Sequence, residues 1–148
     1  METSRELEDT IHLLKECDSG TKMAVASFDE VLENIENEQM RMLLEDSREQ
    51  HEKIGDELHE LLLQHGEEDK EPNPIAKSMS WMKTNMKLTI NESDMTIADL
   101  MTDGCDMGIK SLYRYMHQYK QADAKSVQLC RQLIELEEKL RGELQAHL

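Results

Sequence analysis

Apolar side chains recur along the chain at alternating steps of three and four, the spacing that puts them on one face of an α-helix. The first register runs Leu7, Ile11, Leu14, Val25, Phe28, Leu32 and Ile35, with Asp18 and Thr21 at the two steps where an apolar residue is missing. A second stripe, Leu13, Cys17, Gly20, Ala24 and Val31, widens the face to what a helix inside a bundle needs. Thr3, with Glu6 three residues on, forms a capping box, so the pattern predicts a helix over 3–36. Extended past Ile35, the register lands on Gln39, Met42, Asp46 and Glu49, whereas the apolar set restarts one residue later at Met40, Leu44, Ser47, His51, Ile54, Leu58, Leu61 and His65. The slip predicts a turn near 34–37, with Asn37 as N-cap of a second helix over 38–65 that Gly66 ends.

Glu67 to Pro74 is a charged, proline-punctuated connection. The stripe Ile75, Met79, Met82 and Met86 then predicts a short helix over 75–90. Asn91, Ser93 and Asp94 supply a cap for a helix over 94–121, marked by Ile97, Met101, Cys105, Leu112, Tyr115 and Tyr119. Gly104 and Gly108 inside it weaken the helix and suggest the close approach of another. Asp123 caps the last helix, 123–147, carrying Val127, Cys130, Leu133, Ile134, Leu136, Leu140 and Leu144. Four long helices with two short turns and one long middle connection predict an all-α, antiparallel four-helix bundle with a short extra helix in the crossover. At 148 residues the chain is expected to be one domain, 1–148.

Composition narrows the function classes. With 32 acidic against 17 basic residues, the net charge of −15 disfavours nucleic acid and anionic membranes. Only five aromatic and six glycine residues argue against a sheet architecture. No apolar run is long enough to span a bilayer and no signal sequence is evident, so a cytoplasmic protein is expected. Cys17, Cys105 and Cys130 are odd in number and far apart, which fits reduced thiols. The stretch 72–91 is the one basic island: Lys77, Lys83 and Lys87 with no acid, beside Met79, Trp81, Met82 and Met86. It reads as a helix held to the acidic bundle by charge, or as a docking surface for an acidic partner.

Helix order and length, with the stretches Cys17 to Gly20 and Asp103 to Gly108, resemble the ferritin-like superfamily, including uncharacterised bacterial members. The resemblance implies a dinuclear metal centre held by inward Glu residues and two Glu-x-x-His motifs. Here the chain departs from the pattern at every histidine. Three residues before His12, His51, His59, His65, His117 and His147 stand Asp9, Arg48, Asp56, Leu62, Arg114 and Leu144. The dinuclear ligand set is therefore missing.

Asp18 and His51 nonetheless occupy core steps, where a charge is costly unless it is paired or bound. With a turn near 36 or 37, residues facing each other across the first two helices sum to about 73, so Lys22 faces His51 and Asp18 lies one helical turn away. A turn near 121 places Cys105 opposite Glu137. Asp18, His51, Cys105 and Glu137 thus form a candidate central layer. Three readings compete: a metal site for iron, manganese or zinc; a polar layer fixing helix register, with Lys22, Arg48 or Lys110 as counter-charges; and a ligand cavity. No catalytic residue and no cofactor is predicted. The chain reads as a non-catalytic binding or structural protein, as a homodimer or with a protein partner; the alternative is a metal-binding protein or metal-dependent oxidoreductase.

Overall fold

The computed structural model describes residues 3–67 and 93–148, which form four helices: α1 (Ser4–Leu32), α2 (Glu38–Gln64), α3 (Asp94–Gln118) and α4 (Ala124–Leu144). A single 3-10 turn, Gln145–His147, follows α4. Among the described residues there is no strand, and no helix is long and apolar enough to cross a membrane. The expected helix over 75–90, with Lys77, Met79, Trp81, Met82, Lys83, Met86 and Lys87, lies outside the described residues.

The caps follow the local chemistry of the sequence. Thr3 and Glu6 close the capping box of α1, the Asn37 side chain accepts the Met40 N–H, and the Asp123 carboxylate accepts that of Ser126. Gly66, at φ +73°, ends α2 in a Schellman arrangement: its N–H donates to Leu63 O, and the Glu67 N–H to Leu62 O. Several ends differ from expectation, and α3 and α4 stop at Gln118 and Leu144 rather than at 121 and 147. α1 stops at Leu32 rather than 36, because the chain leaves the helix so that Ile35 can turn into the core. The first residue of α3 does not contribute to its own cap. The Asp94 carboxylate reaches back instead and accepts the N–H groups of Glu36 (2.9 Å) and Asn37 (2.7 Å), tying the α1–α2 turn to α3. At the opposite end Asp9 accepts the Gln121 N–H and Thr10 Oγ1 that of Asp123, which ties the α3–α4 turn to α1.

Packing is closest between α1 and α2 and between α3 and α4, intermediate between α2 and α4, and sparse between α1 and α3. Buried side chains form two clusters. One holds Phe28, Val31, Met40, Leu44, Ile97 and Leu140; the other holds Leu13, Leu14, Ile54, Leu58, Leu62 and Leu133. Along α2, His51 stands between Leu44 of the first cluster and Ile54 of the second.

Candidate functional site

His51 is buried to 1% exposure and makes two contacts that fix its protons. Nδ1 lies 2.7 Å from the Ser47 carbonyl oxygen, one turn back on α2, and a carbonyl only accepts, so Nδ1 carries a hydrogen. Nε2 lies 3.0 Å from Oε1 of Glu137 on α4, a contact that needs a second proton between the two groups. His51 and Glu137 therefore hold that proton together, as imidazolium and carboxylate or as imidazole and carboxylic acid, and the pair has zero net charge either way. The Phe28 ring packs against the imidazole at a centroid distance of 5.3 Å. Gly108 on α3 faces the carboxylate: a Cβ there would sit 3.4 Å from Glu137 Cδ, in van der Waals contact. What lies nearest this glycine is a side chain rather than a helix backbone.

Cys105 borders the pair from α3. Burial pushes its thiol well above the usual range, and the neighbouring Glu137 carboxylate adds to the effect by charge and by hydrogen bonding. Cys105 is thus held as a neutral thiol, a poor nucleophile and a poor metal ligand. Cys17 and Cys130 meet across α1 and α4. The hydrogen bond between them, with burial, raises Cys17 and makes it the donor, and the same bond lowers Cys130. All three cysteines are free and buried.

Asp18 does not join this group. Its carboxylate, 3% exposed, pairs with Lys22 Nζ one turn along α1 at 3.2 Å. The residue sum of 73 across the first two helices is short by about one turn. Gly55 lies against Thr21, with Cγ2 3.2 Å from an added Cβ, Arg48 bonds Asp29 at 2.6 Å, and the Phe28 ring is tilted against His51. These contacts put His51 beside Phe28 rather than Lys22 and leave Asp18 farther along α1. Arg48 spends its charge on Asp29 and Glu52 at the surface, and so is no counter-charge for the layer. Among the described residues no group of three or more His, Cys, Asp or Glu side chains is arranged to hold a metal ion.

Where α1 meets α3 the helices leave a cavity of about 340 Å³. Its floor is apolar, made by Phe28, Met101, Leu133 and Leu140, with His51 and Glu137 set into it. Two stripes of small residues of the same spacing line its walls: Gly20, Ala24 and Ser27 on α1, and Gly104, Gly108 and Ser111 on α3. A Cβ added at Gly20 or at Gly104 would meet nothing within 4 Å. Gly20, expected on a core stripe, and Gly104, expected at a close helix approach, are both exposed because they open onto this space. The paired i, i+4, i+7 spacing of small residues was the signal in the sequence for the cavity; small size alone does not say whether two helices close up or stay apart.

The fold and site define a class: an acidic all-helical protein with a proton-sharing His–Glu pair at the base of an inter-helical cavity. Residues 9–118 match the family described as a domain of unknown function, DUF2383, and the chain belongs to that family. The matched span contains Asp18, His51 and Cys105 and ends with α3, so Glu137 lies beyond it. No curated protein and no solved structure matches the chain.

Proposed function

We propose that the protein is a non-catalytic binding protein that takes a small ligand between α1 and α3. The observation that carries this reading is the cavity itself. Its volume falls in the range of small-molecule sites, and apolar walls around a few convergent polar groups are the usual make-up of such sites. Apolar space left open in a helical protein costs stability, so two matched stripes that keep it open need a purpose other than stability. The frame is read as one domain, an antiparallel bundle of ferritin-like design. Supporting this are the ion pairs Lys15–Glu67 and Asp29–Arg48, which link the start of α1 to the end of α2 and the end of α1 to the start of α2. Three free thiols fit a reducing compartment such as the cytoplasm.

Filling the cavity tests the reading. A neutral naphthylamine dye should brighten on binding the wild-type protein. In Gly20→Met combined with Gly104→Leu, binding should fall at least about tenfold while helix content by circular dichroism stays at wild-type level, because both glycines face open space. Equal brightening by the two proteins would sink the proposal.

A second reading, a cation held by His51, Glu137 and Cys105, has the 3.0 Å His51–Glu137 contact behind it. The donor set fits poorly. Nε2 would have to lose the proton it shares with Glu137, and the thiol would have to ionise against burial and a neighbouring carboxylate. Elemental mass spectrometry after growth with iron, manganese and zinc decides the matter: about one metal per chain, lost in His51→Ala, would replace the first reading with this one.

A further inference from the structure

We propose that the cavity takes an uncharged secondary alcohol, a molecule with apolar arms on either side of a central hydroxyl that donates to the Glu137 carboxylate. The inference rests on the cavity being a binding site. At about 340 Å³ it has the room of about 11 water molecules, which suits about ten non-hydrogen atoms. The central position follows from the packing. Along α4, Glu137 stands between Leu133 of one core cluster and Leu140 of the other. Apolar lining therefore lies on both sides of it: Phe28, Met101 and Leu140 on one, Leu112 and Leu133 on the other.

The donor follows from what these groups leave unspent. His51 has nothing to offer a ligand: Nδ1 is held by the Ser47 carbonyl at 2.7 Å and Nε2 by Glu137 Oε1 at 3.0 Å. The other oxygen, Oε2, accepts in either proton arrangement, as half of a carboxylate or as the carbonyl of the acid. Both oxygens face α3 across Gly108, 3.6 and 3.7 Å from where its Cβ would be, and the Glu137 side chain keeps 13% exposure. The Cys105 thiol takes one lone pair of a group that has about four. On the α1 wall the Thr21 and Ser27 hydroxyls donate to Cys17 O and Met23 O, at 2.8 and 3.0 Å, so toward a ligand they only accept. A molecule that bonds these groups has to donate. Charge does not suit the same point. An ammonium would need the pair to give up its shared proton, which sets the Nε2 lone pair against a carboxylate oxygen, and an anion would set acceptor against acceptor.

The test is calorimetric titration of the full chain with dibutylcarbinol, dibutyl ketone, nonanol and protonated dibutylamine, each below its solubility limit. Dibutylcarbinol should bind about tenfold more tightly than the ketone, which has the same arms and no donor. It should bind at least about threefold more tightly than nonanol, whose hydroxyl is terminal, and dibutylamine should bind most weakly. In His51→Leu with Glu137→Met, where both polar partners give way to apolar ones, alcohol and ketone should bind alike. Equal binding of alcohol and ketone by the wild-type protein, or a gap that survives the double substitution, overturns the donor assignment and leaves the cavity reading intact. The wild-type series decides by itself if that variant fails to fold. Nonanol binding as tightly as dibutylcarbinol overturns the central placement, and dibutylamine binding more tightly overturns the uncharged class. Binding that persists undiminished in Gly20→Met with Gly104→Leu puts the probes on the surface and also overturns the proposal. Absence of binding by all four probes overturns both this inference and the binding function beneath it.

Discussion

The seam between α1 and α2 and the seam between α1 and α3 share one helix yet are built differently. Against α2, α1 presents Leu14 and Val31 together with Thr21 and Phe28, which also border the cavity, and the buried side chains it meets include Leu44, Ile54 and Leu58. Against α3 it presents Gly20, Ala24 and Ser27 opposite Gly104, Gly108 and Ser111, and the helices leave about 340 Å³ between them. One helix thus carries a structural face and a hollow face about a quarter-turn apart. The first is packed, and the second borders an open volume. Glycine shows the contrast at single residues. Gly55, on the packed seam, has Thr21 Cγ2 3.2 Å from where its Cβ would be, whereas Gly20 and Gly104 have nothing within 4 Å.

The contrast can be broken at its strongest point by Leu58→Ala. Leu58 is wholly buried in the packed seam, and the truncation should cost about 3 kcal/mol, measured by urea denaturation. A loss below about 1 kcal/mol would mean that the seam collapses around the gap and is not tightly packed at all.

A smaller effect sharpens the picture of the buried thiol between the seams. Cys105 is raised in the folded protein above its ordinary value near 9.0, so the folded state keeps a proton that the unfolded chain releases. The resulting stabilisation is fully present below pH 9 and is lost as pH climbs beyond it, by about 1.4 kcal/mol per pH unit for one thiol. Between about pH 9 and 10.5 the wild-type protein should lose stability more steeply than Cys105→Ala, as followed by denaturant midpoints at each pH. Parallel slopes would contradict the burial and carboxylate contact assigned to this thiol.

The smallest effect is also the most direct comparison of the two seams. Gly104→Ala should stabilise by about 0.5–1 kcal/mol, the ordinary gain of replacing glycine within a helix, since the added methyl meets nothing. Gly55→Ala should gain less, or lose, because Thr21 must move to admit the same methyl. Thermal denaturation of the two variants side by side reads the difference, and identical gains would remove the distinction between the seams.

Much of this frame was legible in the residues. The alternating three-and-four pattern, the one-residue slip after Ile35, Asn37, Asp123 and the Thr3–Glu6 box place the helices within a few residues, because each depends on near neighbours in sequence. The site was legible only in pieces. His51 was singled out as a polar group on a core step and Glu137 as the residue opposite Cys105, and the two meet; Asp18 was singled out on the same grounds as His51, and pairs along its own helix with Lys22. An opposing-residue sum carries the uncertainty of the turn, and one helical turn is enough to separate two side chains.

By itself the sequence determined the helical class, the caps of α1, α2 and α4 and much of the core, though Leu7 and Gly20, expected inside, are exposed; these rest on periodicity and local hydrogen bonding. Only the tertiary structure decided that Asp94 and Asp9 would tie turns 57 and 112 residues away, that one proton would be shared across 86 residues, and that the two small-residue stripes would stay apart. Those outcomes depend on how far apart the helices come to rest. That distance is set jointly by the bulky residues on the packed seams, and no single stripe encodes it.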